Sequence, residues 1–188
     1  GKLQLADPKV LPYAAIIMLF AIPYCATQSF LVSYTQTRQL PVSVSLFFPL
    51  YAVVLLILRL CMKDLFDRLP FPFFLLFSSV SAFAGILFLA FMKNNLSMFF
   101  AALFMAGGYG IMSSVCQSTA ILQAGQGRRG LANSTYYIGL DLGMTLGPFI
   151  GGLLYGHLDL KLFYPSLLVS VPLAVLVYLL AIRPGERR

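Results

Sequence analysis

Between Val10 and Ile182 the chain never leaves an apolar run for more than eight residues. The runs cover residues 10–34, 41–62, 71–91, 97–122, 131–156 and 162–182. Each is about 20 residues or longer, the length a helix needs to cross a hydrocarbon core about 30 Å thick. Inside hydrocarbon every backbone donor and acceptor must find a partner within the protein, which excludes open sheets and leaves helices. The expectation is an all-α membrane protein, one six-helix transmembrane bundle over residues 1–188. Its connections are short, so neighbouring spans should run antiparallel.

Composition agrees: 60% of residues are hydrophobic and 10% charged, where a soluble domain carries about a quarter charged residues. The net charge of +7 lies in short connections and forms no basic face, so nucleic acid is not an expected partner. Ten of the thirteen Lys and Arg fall on one side of the six runs and only Arg38, Lys93 and Lys161 on the other. That bias predicts a multi-pass protein with both termini in the cytoplasm. Cys25, Cys61 and Cys116 are scattered and odd in number, and are expected to be buried free thiols. The first run is too long for a signal peptide core, and a start at Gly1 suggests a fragment or a processed chain.

The fifth run, GLANSTYYIGLDLGMTLGPFIGGLLYG, carries most of the information. At 100° per residue, Gly139, Gly143, Gly147 and Gly151 form a stripe on which a neighbouring helix can approach closely. Asp141 lies away from that stripe, with Tyr137 and Thr145 one turn to either side and Ser134 a turn further back. One face is thus expected to pack, and another to carry hydroxyls around a carboxyl at membrane depth. Ionisable groups there are costly and usually functional. Pro148 should free the carbonyl of Met144 and invite a bend.

Two other runs carry polar groups at helical spacing: Tyr24 and Gln28 in the first, and Tyr109, Ser113 and Gln117 in the fourth, whose middle is loosened by Gly107, Gly108 and Gly110. Tyr24 and Gln28 share a face, and the three of the fourth run either bond helix to helix or line a wet cavity. In the second run Pro41 should start the helix, Pro49 should kink it, and Arg59 lies close to its end, where a long cation can snorkel. The third run is nearly featureless and is expected to face lipid. His157, beside Asp159 at a boundary, reads as a solvated loop histidine.

Enzyme chemistry finds no constellation. There is one His and no cysteine pair at metal spacing, so neither a Ser–His protease nor a zinc site is expected, and no Gly-rich loop precedes a Lys-Ser pair. No catalytic residue, metal or cofactor is predicted. Helices interrupted by Pro and Gly suit transport by moving helices.

The junction RLCMKDLFDRLP and the stretch RRGLANSTYYIGLDLGMTLGPFIGG are similar to signatures of the major facilitator superfamily (MFS). The first resembles the cytoplasmic loop signature Gly-x-x-x-Asp-Arg-x-Gly, with Asp67 and Arg68 as the Asp-Arg pair, Arg59 as the upstream Arg, and Lys63 and Pro70 in place of the two glycines. In the second, Gly143 to Gly152 resembles the Gly-x-x-x-Gly-Pro-x-x-Gly-Gly pattern, with Gly147 and Pro148 at its centre. The chain resembles the C-terminal six-helix half of such a transporter, most like the bacterial drug and arabinose efflux permease branch of the inner membrane. This implies half of a twelve-helix fold, equivalent to helices 7–12. The implied partners are an N-terminal six-helix half, the lipid bilayer, a small-molecule substrate and protons. The resemblance places Tyr24, Gln28, Tyr109, Ser113 and Gln117 on cavity-lining helices. It makes Asp141, with Tyr137 and Thr145, the candidate for proton coupling or gating, and Arg59, Asp67 and Arg68 a cytoplasmic charge network. An antiporter-like, proton-coupled efflux is the expected direction. The alternative is a six-helix homodimeric carrier, or a non-transporting membrane scaffold, assembled through the glycine stripe.

Overall fold

A computed structural model describes residues 3–188; Gly1 and Lys2, the latter counted above among the basic residues, lie outside the described residues. The described chain is helical, with six helices long and apolar enough to cross a membrane. Span 1 is Leu11–Thr37, span 2 Val44–Arg68, span 3 Phe71–Ala90, span 4 Asn95–Ala124, span 5 Arg129–His157 and span 6 Leu160–Glu186.

The helix ends have local causes. The first N–H groups of span 1, those of Val10 and Leu11, donate to the carbonyl of Asp7. Span 4 opens on a reciprocal cap in which the Ser97 N–H donates to Asn94 Oδ1 at 3.0 Å and the Asn94 N–H to Ser97 Oγ at 3.1 Å, satisfying donors that a helix start leaves orphaned. Span 4 stops at Gly125, whose φ of 77° favours a residue without a Cβ.

Several expectations are corrected. Span 2 runs six residues past its expected end at Met62, absorbing most of the charged junction. Pro41 lies before the helix, and Pro49 sits in its first turn, after a short 3-10 segment at Val44–Leu46. There a missing N–H costs no hydrogen bond, so no kink is required. Span 5 continues through Pro148 to His157. Span 3 is not simply a lipid-facing helix: Ser78, Ser79 and Ser81 are buried, while Phe73, Leu76, Val80 and Phe83 point outward. Cys25 and Cys116 are buried, but Cys61 is exposed.

The glycine stripe of span 5 lies against span 1 of the same chain. A Cβ on Gly139 would collide with the carbonyl oxygen of Ala14; on Gly143 it would sit 2.6 Å from Ala21 Cβ, on Gly147 2.7 Å from Cys25 Cβ, and on Gly151 2.9 Å from the ring of Phe30. The contacts climb both helices in the same direction, so these two spans are parallel. Only backbone-to-backbone approach allows this, and glycine is what permits it. The stripe is therefore occupied within one chain, which removes the surface on which the homodimer alternative rested.

Both ends of this seam are pinned. At one end Asp7, fully buried, donates its N–H to Thr135 Oγ1 at 2.9 Å, and its carboxylate lies 3.6 Å from Arg128 Nε. At the other, Thr37 and Tyr155 share a hydroxyl hydrogen bond of 2.9 Å, and Tyr155 stacks on Phe30.

Candidate functional site

Spans 1 and 4 are largely buried, whereas spans 2 and 5 are the least buried of the six. Span 5 shows this within one helix. Its glycine side is buried, and its other side exposes Ser134, Tyr137, Asp141 and Thr145 together with Ile138, Leu142 and Phe149. Asp141 is exposed on this chain. Among the described residues its carboxyl makes no hydrogen bond or ion pair, and Thr145 Oγ1 donates to the main-chain oxygen of Asp141 at 2.9 Å. Tyr137 is engaged elsewhere, accepting from Gln117 Nε2 at 3.4 Å.

The polar residues of spans 1 and 4 meet. The rings of Tyr24 and Tyr109 stack with centroids 4.4 Å apart and planes 16° from parallel. Tyr51 of span 2, missed in the sequence, joins them at 4.9 Å from Tyr24. Gln28 donates to the Tyr24 hydroxyl at 3.3 Å. Gln117 reaches across to span 5, donating to Asn133 Oδ1 at 2.9 Å. Ser113 turns back on its own helix, donating to the Gly110 carbonyl at 2.8 Å, while its main-chain oxygen accepts from the Tyr136 hydroxyl, also at 2.8 Å. Asn133 and Tyr136 were likewise not singled out; both lie one helical turn from residues that were.

This cluster sits on an irregularity. Residues Ala106–Gly110 of span 4 form a π turn, a form often found at functional sites. The local sequence explains it. Gly107 and Gly108 face Ser81 and Ala82 of span 3, where a Cβ would clash, and a Cβ on Gly110 would meet Leu55 and the Tyr51 hydroxyl of span 2. Two helices thus press on the same turn of span 4 from different sides.

Arg59 is not near the end of its helix. Span 2 continues to Arg68, and the Arg59 guanidinium reaches toward span 4, with Nη2 3.5 Å from the Gly110 carbonyl oxygen. It is not brought to Asp67, which lies eight residues away, about 12 Å of helix rise. Asp67 instead lines a groove of about 320 Å³ with Ser114, Ser118 and Thr119 of span 4. Arg68 is exposed. His157 is exposed at the last residue of span 5, its Nδ1 2.9 Å from the Leu153 carbonyl.

Comparison with curated proteins finds no match, and neither does comparison with solved structures. The family model described as Major Facilitator Superfamily matches residues 16–188, nearly the whole chain. Six long apolar helices with no strand among the described residues agree with that match. Membership points to transport and not to catalysis. The chain is a multi-pass integral membrane protein and belongs to the Major Facilitator Superfamily.

Proposed function

We propose that this chain is the C-terminal half of a secondary transporter that moves a small molecule by alternating access, coupled to protons and running as efflux. The observation that carries the reading is the two-sided character of span 5. One side is closed against span 1 by backbone contact, while the other presents a carboxyl and three hydroxyl side chains on an open surface. Lipid would penalise such a face. A second six-helix bundle, with a wet cavity between the two, would make it useful. The cavity side of this half is then built from Tyr24, Gln28, Tyr109, Ser113 and Gln117, and closure over Asp141 by the partner bundle supplies the desolvation that this chain lacks. Asp67 and Arg68 act at the cytoplasmic end as a latch on one conformation. The protein belongs to a bacterial inner membrane with both termini inside, and to the drug and arabinose efflux branch.

In membrane vesicles containing the intact protein, an imposed pH gradient followed by a pH-sensitive acridine dye reports substrate-linked proton movement. Asp141→Asn is expected to abolish that signal and to leave the melting temperature of the purified protein unchanged. Intact proton-linked flux in the variant would remove Asp141 from the coupling. Asp67→Asn should shift the balance of inward- and outward-open states, read as cysteine accessibility from the two sides; an unchanged profile would remove the latch.

A further inference from the structure

Arg59 is a cation whose side chain runs the wrong way for a membrane anchor. It lies nine residues before the end of span 2, about 13 Å of helix rise. A snorkelling arginine extends toward the nearer interface. This one reaches span 4 at Gly110, beside the midpoint of the thirty-residue helix Asn95–Ala124. Tyr24, at the midpoint of Leu11–Thr37, stacks there on Tyr109, and Tyr51 packs against both spans. Tyr51, Leu55 and Arg59 follow one another at intervals of four along the side of span 2 that meets span 4.

The guanidinium is poorly served. Among the described residues its one acceptor is the Gly110 carbonyl at 3.5 Å, which already takes the Ser113 hydroxyl at 2.8 Å. Among the described residues no carboxylate lies within ion-pairing distance of it. Arginine offers five N–H donors in a rigid planar fork, and a cation at this depth is expensive unless something answers its charge. A carboxylate fits the fork bidentately, and the half-buried, mutually stacked Tyr24 and Tyr109 leave apolar ring surface with polar tips uncovered, while Tyr51 is buried against Tyr24.

We infer that Arg59 is the anion anchor of the substrate site, and that the transported molecules are organic anions: a carboxylate or similar acidic group held by Arg59, attached to a flat or aromatic body lying against the half-buried Tyr24 and Tyr109. This rests on the transport reading above and names its substrate class.

The test uses the purified intact protein and the melting temperature as the readout of binding, with benzoate and 1-naphthoate as probes, each beside its neutral amide and the corresponding amine. The expected result is that the anions raise the melting temperature, naphthoate more than benzoate, and the amides and amines do not. Arg59→Gln should lose the response while melting near the wild-type temperature without ligand. Should that variant fail to fold, Arg59→Lys decides: it keeps the charge but loses the fork, and should bind naphthoate about tenfold more weakly. Amides that stabilise as well as the anions would overturn the assignment, as would a full response in Arg59→Gln, undiminished binding in Arg59→Lys, or no response to any anion. A carboxylate from the rest of the protein pairing with Arg59 would give the last of these. Proton flux is measured separately in proteoliposomes. Flux with neutral or cationic compounds and no anion binding sinks the anion assignment alone. Anion binding without proton flux supports the site and sinks the proton coupling of the transport reading.

Discussion

The two sides of span 5 are made from the same 29 residues under opposite constraints. On the glycine side, Gly139, Gly143 and Gly147 let the backbone of span 1 come so close that a Cβ would meet its carbonyl oxygens, and Gly151 lies against the Phe30 ring. On the Asp141 side, the side chains touch little of this chain, and Thr145 bonds only to its own helix. The first side specifies where the helix sits. The second is free of that duty, and this freedom lets it hold chemistry. The difference shows why a carboxyl at membrane depth and a packing stripe coexist on one helix without compromising each other.

Substitutions should separate the two sides. The largest effect is expected at Gly139. Gly139→Leu forces span 1 away along its length and should leave no folded protein, seen as loss of the monodisperse peak on size exclusion. Gly139→Ala already drives a methyl group into the Ala14 carbonyl and should cost about 1–3 kcal/mol, read by thermal unfolding. Next is Asp7→Ala, which unties the start of the seam and leaves Arg128 without its carboxylate. About 1–3 kcal/mol is expected, at the lower end because Arg128 is partly solvated. Tyr155→Phe removes the hydroxyl bond to Thr37 at the other end, worth about 0.6 kcal/mol for a helix-to-helix bond of this kind. Smallest is Thr145→Ala on the open side, which should leave unfolding unchanged. A marked loss of stability there would mean that this face packs within the chain after all.

Much of this division was legible in the sequence. Glycines at intervals of four and a lone acid off their line need only helix geometry to be read, and the stripe did become a helix seam. What could not be read was which helix fills it. Nothing local marks Asp7, which sits in a polar lead and whose burial depends on a residue 128 positions away, Thr135. The depth of Arg59 is hidden in the sequence because Lys63 and Asp64 look like the start of a loop. Charges end an apolar run, but they do not end a helix whose backbone bonds can continue beyond hydrocarbon, as span 2 does to Arg68. Span 3 lacked a charge or amide to mark its buried side. Its serines are small, and only the glycines of span 4 opposite them reveal that side.

The most direct measurement is the water accessibility of the open side of span 5 in the intact protein within its membrane. On a Cys61→Ser background, single cysteines replace Ser134, Tyr137, Asp141 and Thr145 in turn, with Leu76→Cys and Val80→Cys on the apolar face of span 3 for comparison. Each is exposed to a water-soluble maleimide. The account predicts that the four positions on span 5 react, because they line an aqueous path, and that the two on span 3 stay inert in lipid. Span 5 cysteines as unreactive as those at Leu76 and Val80 would contradict it.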